Sequence, residues 1–121
     1  MSQHSQTHRV VMQVNRGSSA DQKIAIDQIR NVLKALPECK IEVVCHGQAV
    51  QLVLKKASEM ADEIAGLAKD QFVEFLICQN TLTQNDHHQD EILPEVKVVP
   101  SALAHIIVRQ GEGWAYIKGG R

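Results

Sequence analysis

Two periods of apolar recurrence divide the chain. "RVVMQVN" (9–15), "KIEVVCHG" (40–47), "FVEFLIC" (72–78), "VKVV" (96–99) and "WAYIK" (114–118) are short runs, β-branched or alternating in polarity and bounded by turn formers, and predict five strands. Between them the spacing lengthens to three or four residues. Ile24, Ile26, Ile29, Val32, Leu33 and Leu36 predict an amphipathic helix capped by Ser19, with Asp21 and Gln22 in its first turn and Pro37 beyond its end. A second helical pattern occupies 48–56 after Gly47. "SEMADEIAGLAKD" (58–70) repeats the capping logic from Ser58, with Met60, Ile64, Leu67 and Ala68 on one face. Residues 79–90 are polar and unpatterned, so an irregular loop is expected there, followed by a short helical turn at 90–93 that stops at Pro94. "SALAHIIVRQ" (101–110) predicts a last helix, capped by Ser101 and ended by Gly111 and Gly113.

Strand and helix alternate with short connections. That order implies right-handed βαβ crossovers and an α/β fold of three layers, a mainly parallel five-stranded sheet with helices on both faces. "WAYIK" is expected at an edge, 9–118 as a single domain, 1–8 as a mobile arm and 119–121 as a tail.

Composition narrows the function classes. A chain of 121 residues can bury about two-thirds of the surface its unfolded form exposes. Aromatic residues are only 3% of it, so the core must be Val, Ile, Leu and Ala, the residues of buried parallel strands. The net charge of −1, with acids and bases interspersed, leaves no basic footprint for nucleic acid and no polybasic patch for a membrane surface. No apolar run is long enough to span a bilayer. Three cysteines, an odd number, with no secretory segment at the start, point to free thiols in a reducing cytoplasm.

In open α/β sheets the ligand crevice lies beyond the carboxyl ends of the strands. Those ends carry Asn15, Arg16 and Gly17, then His46 and Gly47, then Cys78, Gln79, Asn80 and Thr81, then Pro100 and Ser101. Cys78 closes its strand at this edge, whereas Cys45 is expected one residue short of its strand end and Cys39 lies at the opposite edge. A strand-end cysteine is either a small buried hydrophobe or a thiol presented for chemistry. The second role needs amide donors from the following turn, or an imidazole such as His46, to stabilise the thiolate. His46 can equally fix a loop by donating to a carbonyl. His87 and His88 fit a solvated loop tip and His105 a core or interface histidine. His4 and His8 lie in the arm. No CxxC or HxxxH spacing supports a metal site from Cys78, His46 and His87, and none is expected. The loop 15–19 leads into a helix N-terminus suited to small anions or nucleotides, but it is neither a Walker A nor a GxGxxG motif, so no cofactor is expected. No GxSxG is present.

Taken in order, "VNRG", "EVVCHG", "CQNTL", "ILPEVKVVPS" and "GWAYIK" resemble the DsrE/DsrF-like family of sulfur-relay proteins, above all its small stand-alone branch, across 9–118. The resemblance implies a three-layer domain that assembles as trimers or dimers of trimers. It also implies a sulfur carrier that holds sulfane sulfur as a persulfide and passes it from a donor protein to an acceptor. The carrier cysteine corresponds to Cys78, with Asn80 and Thr81 in the family's loop and His46 and Gly47 as its His-Gly; Asn15 and Gly47 join Asn80 and Thr81 as binding candidates. The competing expectation is a non-catalytic oligomeric module that binds a small anion or nucleotide through the loop 15–19.

Overall fold

The computed structural model describes residues 7–70 and 72–121. Its chain order is β1 (Arg9–Val14), α1 (Ser19–Ala35), β2 (Lys40–Cys45), α2 (Val50–Val53), α3 (Ala61–Lys69), β3 (Val73–Cys78), α4 (Gln79–Gln84), β4 (Lys97–Val99), α5 (Ala102–Gly111) and β5 (Ala115–Lys118), with 3₁₀ turns at Gly47–Ala49 and Gln89–Glu91. The sheet has five strands in the order β4-β3-β2-β1-β5, and every pairing is parallel.

That order fixes which face each helix covers. From β1 to β4 the chain steps steadily across the sheet, and right-handed crossovers put α1 to α4 on one face. The return from β4 to β5 runs the other way, so α5 must cross the opposite face. The packing agrees. Met12, Val14, Ile41, Val43, Cys45, Phe75 and Ile77 point toward Ile26 and Ile29 of α1, Leu52 of α2, Ile64 of α3 and Leu82 of α4. Val11, Val44, Leu76 and Cys78 point the other way, where Ala102 and Ile106 of α5 and Trp114 cover them. One face is thick and dry. The other is a thin layer under a single helix.

Local caps differ from the expected ones. Ser18, not Ser19, caps α1 by accepting from the Asp21 amide, while the Ser19 hydroxyl donates to Glu59. Helix α3 starts at Ala61 rather than after Ser58, whose hydroxyl accepts from the Met60 amide two residues on. Ser101 caps α5 as its position predicts. The largest difference is α4, which falls where an irregular loop was expected. Gln79, Asn80 and Thr81 carry no apolar period, and the helix is held instead by Leu82 buried in the thick core, by a Gln79 to Thr83 side-chain bond at 3.0 Å and by Asn85 Nδ2 donating to the Thr81 carbonyl at 2.8 Å. Residues 119–121, read as a tail, lie against β1 and α1: the Gly119 amide donates to Gln13, the Gly120 amide to Gln28 Oε1, and Arg121 pairs with Asp21. Of the expected N-terminal arm, residues 1–6 lie outside the described residues.

Candidate functional site

The carboxyl edge of the sheet brings Cys78, Thr81 and Gly47 into one hydrogen-bonded group. Strand β3 ends at Cys78, which serves as the N-cap of α4. The Ala102 amide donates to its sulfur at 3.3 Å, and the amides of Asn80 and Thr81 and the Thr81 hydroxyl lie close enough to favour its anion. Burial pushes the thiol up, but these donors outweigh it and hold Cys78 below the ordinary thiol value. The residue is buried, only 6% exposed, within the thin layer under α5, where its sulfur nonetheless has polar neighbours.

Thr81 is oriented by the turn that follows β2. The Gly47 amide donates to Thr81 Oγ1 at 3.0 Å, which occupies the hydroxyl's acceptor side and leaves its proton for the sulfur. Gly47 does this at φ +57°, a conformation that glycine adopts without strain. Asn80 contributes its backbone; its side chain is exposed. Asn15 lies at the β1 end, its carbonyl 3.7 Å from where a Gly47 Cβ would stand.

His46 is engaged elsewhere. Its Nε2 lies 2.9 Å from Gln13 Nε2, and the Tyr116 hydroxyl donates to Gln13 Oε1. The amide therefore points its nitrogen at His46, which fixes Nε2 as acceptor and Nδ1 as the protonated nitrogen. Burial, and then the charge of Lys118, push the imidazole below its ordinary value and favour the neutral form. Among the described residues no hydrogen bond joins His46 to Cys78.

The other candidates separate from this group. Cys45 is the last residue of β2 rather than one short of the end, yet its side chain faces the thick core; it is fully buried, and burial alone pushes its thiol up to about 12. Cys39 is buried at the far edge and is also pushed up by burial. His87 Nδ1 lies 3.2 Å from Glu91 and belongs to a turn. No disulfide forms, and among the described residues no group of three His, Cys, Asp or Glu side chains is placed to hold a metal.

A groove of about 530 Å³ beside the Cys78 group is lined by Gly17, Ser18, Gly47, Gln48 and Asn85. The Gly17 position is so close to the Gln48 carbonyl that a Cβ there would come within 2.0 Å, so only glycine fits. The α1 N-terminus at this groove already carries a carboxylate: Asp21 accepts from the Ser18 hydroxyl and from Arg121. An incoming anion would oppose that charge.

Two features of this region carry no motif in the sequence. The Ala102 amide comes from 24 positions away and has no side-chain signature. Glu42, buried on the central strand under α5, was passed over within "KIEVV"; an acid inside an apolar strand was the available signal.

A family model described as the DsrE/DsrF-like family matches residues 8–118. Among solved structures, a protein of unknown function, MTH1491 from Methanobacterium thermoautotrophicum, is similar at 34% identity and a TM-score of 0.85, over 92% of this chain and 98% of that one. The ychN protein from E. coli shares the fold at 8% identity and a TM-score of 0.73, over 92% and 98% of the two chains. No curated protein sequence matches the chain. Among the described residues no helix is long and apolar enough to cross a membrane.

Proposed function

Since the chain belongs to the DsrE/DsrF-like family, we infer that it is a sulfur carrier in which Cys78 accepts sulfane sulfur as a persulfide and passes it to a partner thiol. Family membership implies sulfur relay in general terms; the mechanism rests on Cys78. The observation that carries it is the set of donors gathered on one sulfur, from the first turn of α4, from Thr81 and from Ala102.

The chemistry follows from stabilising an anion. The Cys78 thiolate attacks the outer sulfur of a donor persulfide, R–S–SH. A new S–S bond forms to Cys78 as the donor's S–S bond breaks, and the donor leaves as RS⁻ with the electron pair of that bond. The outer sulfur keeps its proton, and there is no net oxidation. In the second half a partner thiolate attacks the same outer sulfur and Cys78 departs as thiolate. The donors that favour its anion also make it a better leaving group. Gly47 orients the Thr81 hydroxyl donor, and Asn80 supplies an amide.

The reading includes assembly with copies of the same chain, as a trimer or hexamer. Leu103, Ile107 and Val108, exposed on the outer face of α5, are the apolar surface such an assembly would cover. It also includes a reducing, cytoplasmic setting that keeps the three cysteines free.

Intact-mass measurement after incubation with a low-molecular-weight persulfide tests the assignment. Wild type gains the mass of one sulfur and Cys78→Ser gains none; sulfur retained by the variant, or absent from wild type, rejects it.

A further inference from the structure

Helix α5 supplies a donor to Cys78, and a buried carboxylate decides where α5 sits. Glu42 occupies the central strand of the sheet on the face that α5 covers, and it is 2% exposed. Its partners are two side chains one turn apart on the helix. Arg109 donates through Nε to Oε1 at 2.9 Å and through Nη2 to Oε2 at 2.8 Å, a two-pronged grip, and His105 Nε2 donates to Oε1 at 2.6 Å. Burial pushes the Glu42 carboxyl up, but the bonds from Arg109 and His105 overcome it and keep the group ionised. The guanidinium is fixed from its other sides, 4.5 Å over the Trp114 ring and 2.8 Å from Glu112.

Stability alone is a poor reason for this arrangement. Well-packed apolar side chains of similar volume commonly do as well as a buried ion pair or better. What the pair supplies is direction. The apolar contacts of α5 with the sheet come from Ala102 and Ile106, two small or smooth surfaces over Val11, Val44 and Leu76, and such contacts tolerate sliding. A bidentate grip does not. Arg109 stands two turns beyond Ala102 on a continuous helix, so fixing one end fixes the other. A slip of one residue would carry the Ala102 amide about 1.5 Å along the axis, enough to break its 3.3 Å bond to the sulfur.

We propose that Glu42 is a positioning residue for the sulfur-carrying site: through Arg109 and His105 it holds α5 in the register that sets the Ala102 amide on Cys78 Sγ. The inference rests on the assignment of Cys78 as carrier, but it is tested on the thiol itself. Neither Glu42 nor Arg109 touches the sulfur among the contacts described.

The experiment follows alkylation of Cys78 by iodoacetamide across pH, resolved by peptide mass, in wild type, Glu42→Gln, and the double variant Glu42→Met with Arg109→Met, with urea unfolding in parallel. Glu42→Gln separates positioning from charge. Removing a negative charge, with Arg109 left paired only to Glu112, would by field effects favour the thiolate and speed alkylation, whereas loss of the Ala102 donor slows it. Alkylation at neutral pH is expected to fall about tenfold, the equivalent of one pKa unit. The double variant keeps the packing and the net charge, so it decides the matter if the single variant does not fold; it is expected to show the same slowing with the cooperative transition intact. Unchanged or faster alkylation in the folded variants overturns the proposal. Failure of wild type to take up sulfur, with the slowing still present, would reject the carrier function and leave the positioning role standing.

Discussion

Cys45 and Cys78 end neighbouring strands at the same edge of the sheet, yet they are opposite kinds of thiol. The registers pair Cys45 with Ile77, so Cys78 lies one residue further along and on the other face. That single step of pleat decides everything about them. Cys45 turns into the thick layer under α1 to α4, meets only apolar neighbours, and is pushed up to about 12 by burial. Cys78 turns into the thin layer, where the first turns of α5 and α4 present amides to the sulfur. Burial acts on both; only one has donors to overcome it. The face a strand-end side chain occupies therefore governs its chemistry more than its position at the edge does.

The largest way to break this contrast is alkaline titration. Below the ordinary thiol value, near 8.5, the Cys45 proton is held in both folded and unfolded chains and no stability is at stake. Above it the unfolded chain releases the proton while the folded chain keeps it up to about 12, so folding loses roughly 1.4 kcal/mol for each pH unit across that window. Cys78 has the opposite sign: its lowered value adds stability above the ordinary thiol pKa, and that stability is lost as pH falls through the folded value. Urea unfolding should show wild type losing stability relative to Cys45→Ala as pH rises through the window; a constant gap between the two would mean that Cys45 is not sealed.

A smaller effect sharpens the other side. Thr81→Val keeps the shape but removes the hydroxyl donor to Cys78 and the acceptor of the Gly47 amide. Cys78 alkylation at neutral pH should slow about threefold to tenfold, and unfolding free energy should fall by about 1 kcal/mol. Alkylation at the wild-type rate would remove Thr81 from the donor set.

Much of the fold was legible because strands and helices differ in period and because short connections force crossovers. The parallel five-stranded sheet and the edge position of "WAYIK" follow from that pattern, as does the cap at Ser101. Helix α4 was not legible: Asn80 and Thr81 are poor helix formers, the segment has no apolar period, and a tertiary contact, the burial of Leu82, holds the turn. For the same reason the donors beyond Cys78 were expected from a loop and come from a helix. The face of Cys78 was hidden too. "FVEFLIC" carries only Glu74 among apolar residues, so alternation separates Phe75 and Ile77 from Leu76 and Cys78 without saying which pair lies under one helix and which under several. Glu42 marks that face, but its meaning depends on Arg109 and His105, more than sixty positions away. The relation of His46 to Cys78 was equally out of reach, since it turns on the Gln13 amide and Tyr116 from two other strands.

The central claim is tested most directly by labelling all three cysteines of the native wild-type protein with iodoacetamide across pH and reading each by peptide mass. Cys78 is expected to react first, with a half-point below the ordinary thiol value of about 8.5, while Cys45 stays unlabelled until the chain unfolds. Labelling of Cys78 only on unfolding, or no earlier than Cys45, would contradict the account.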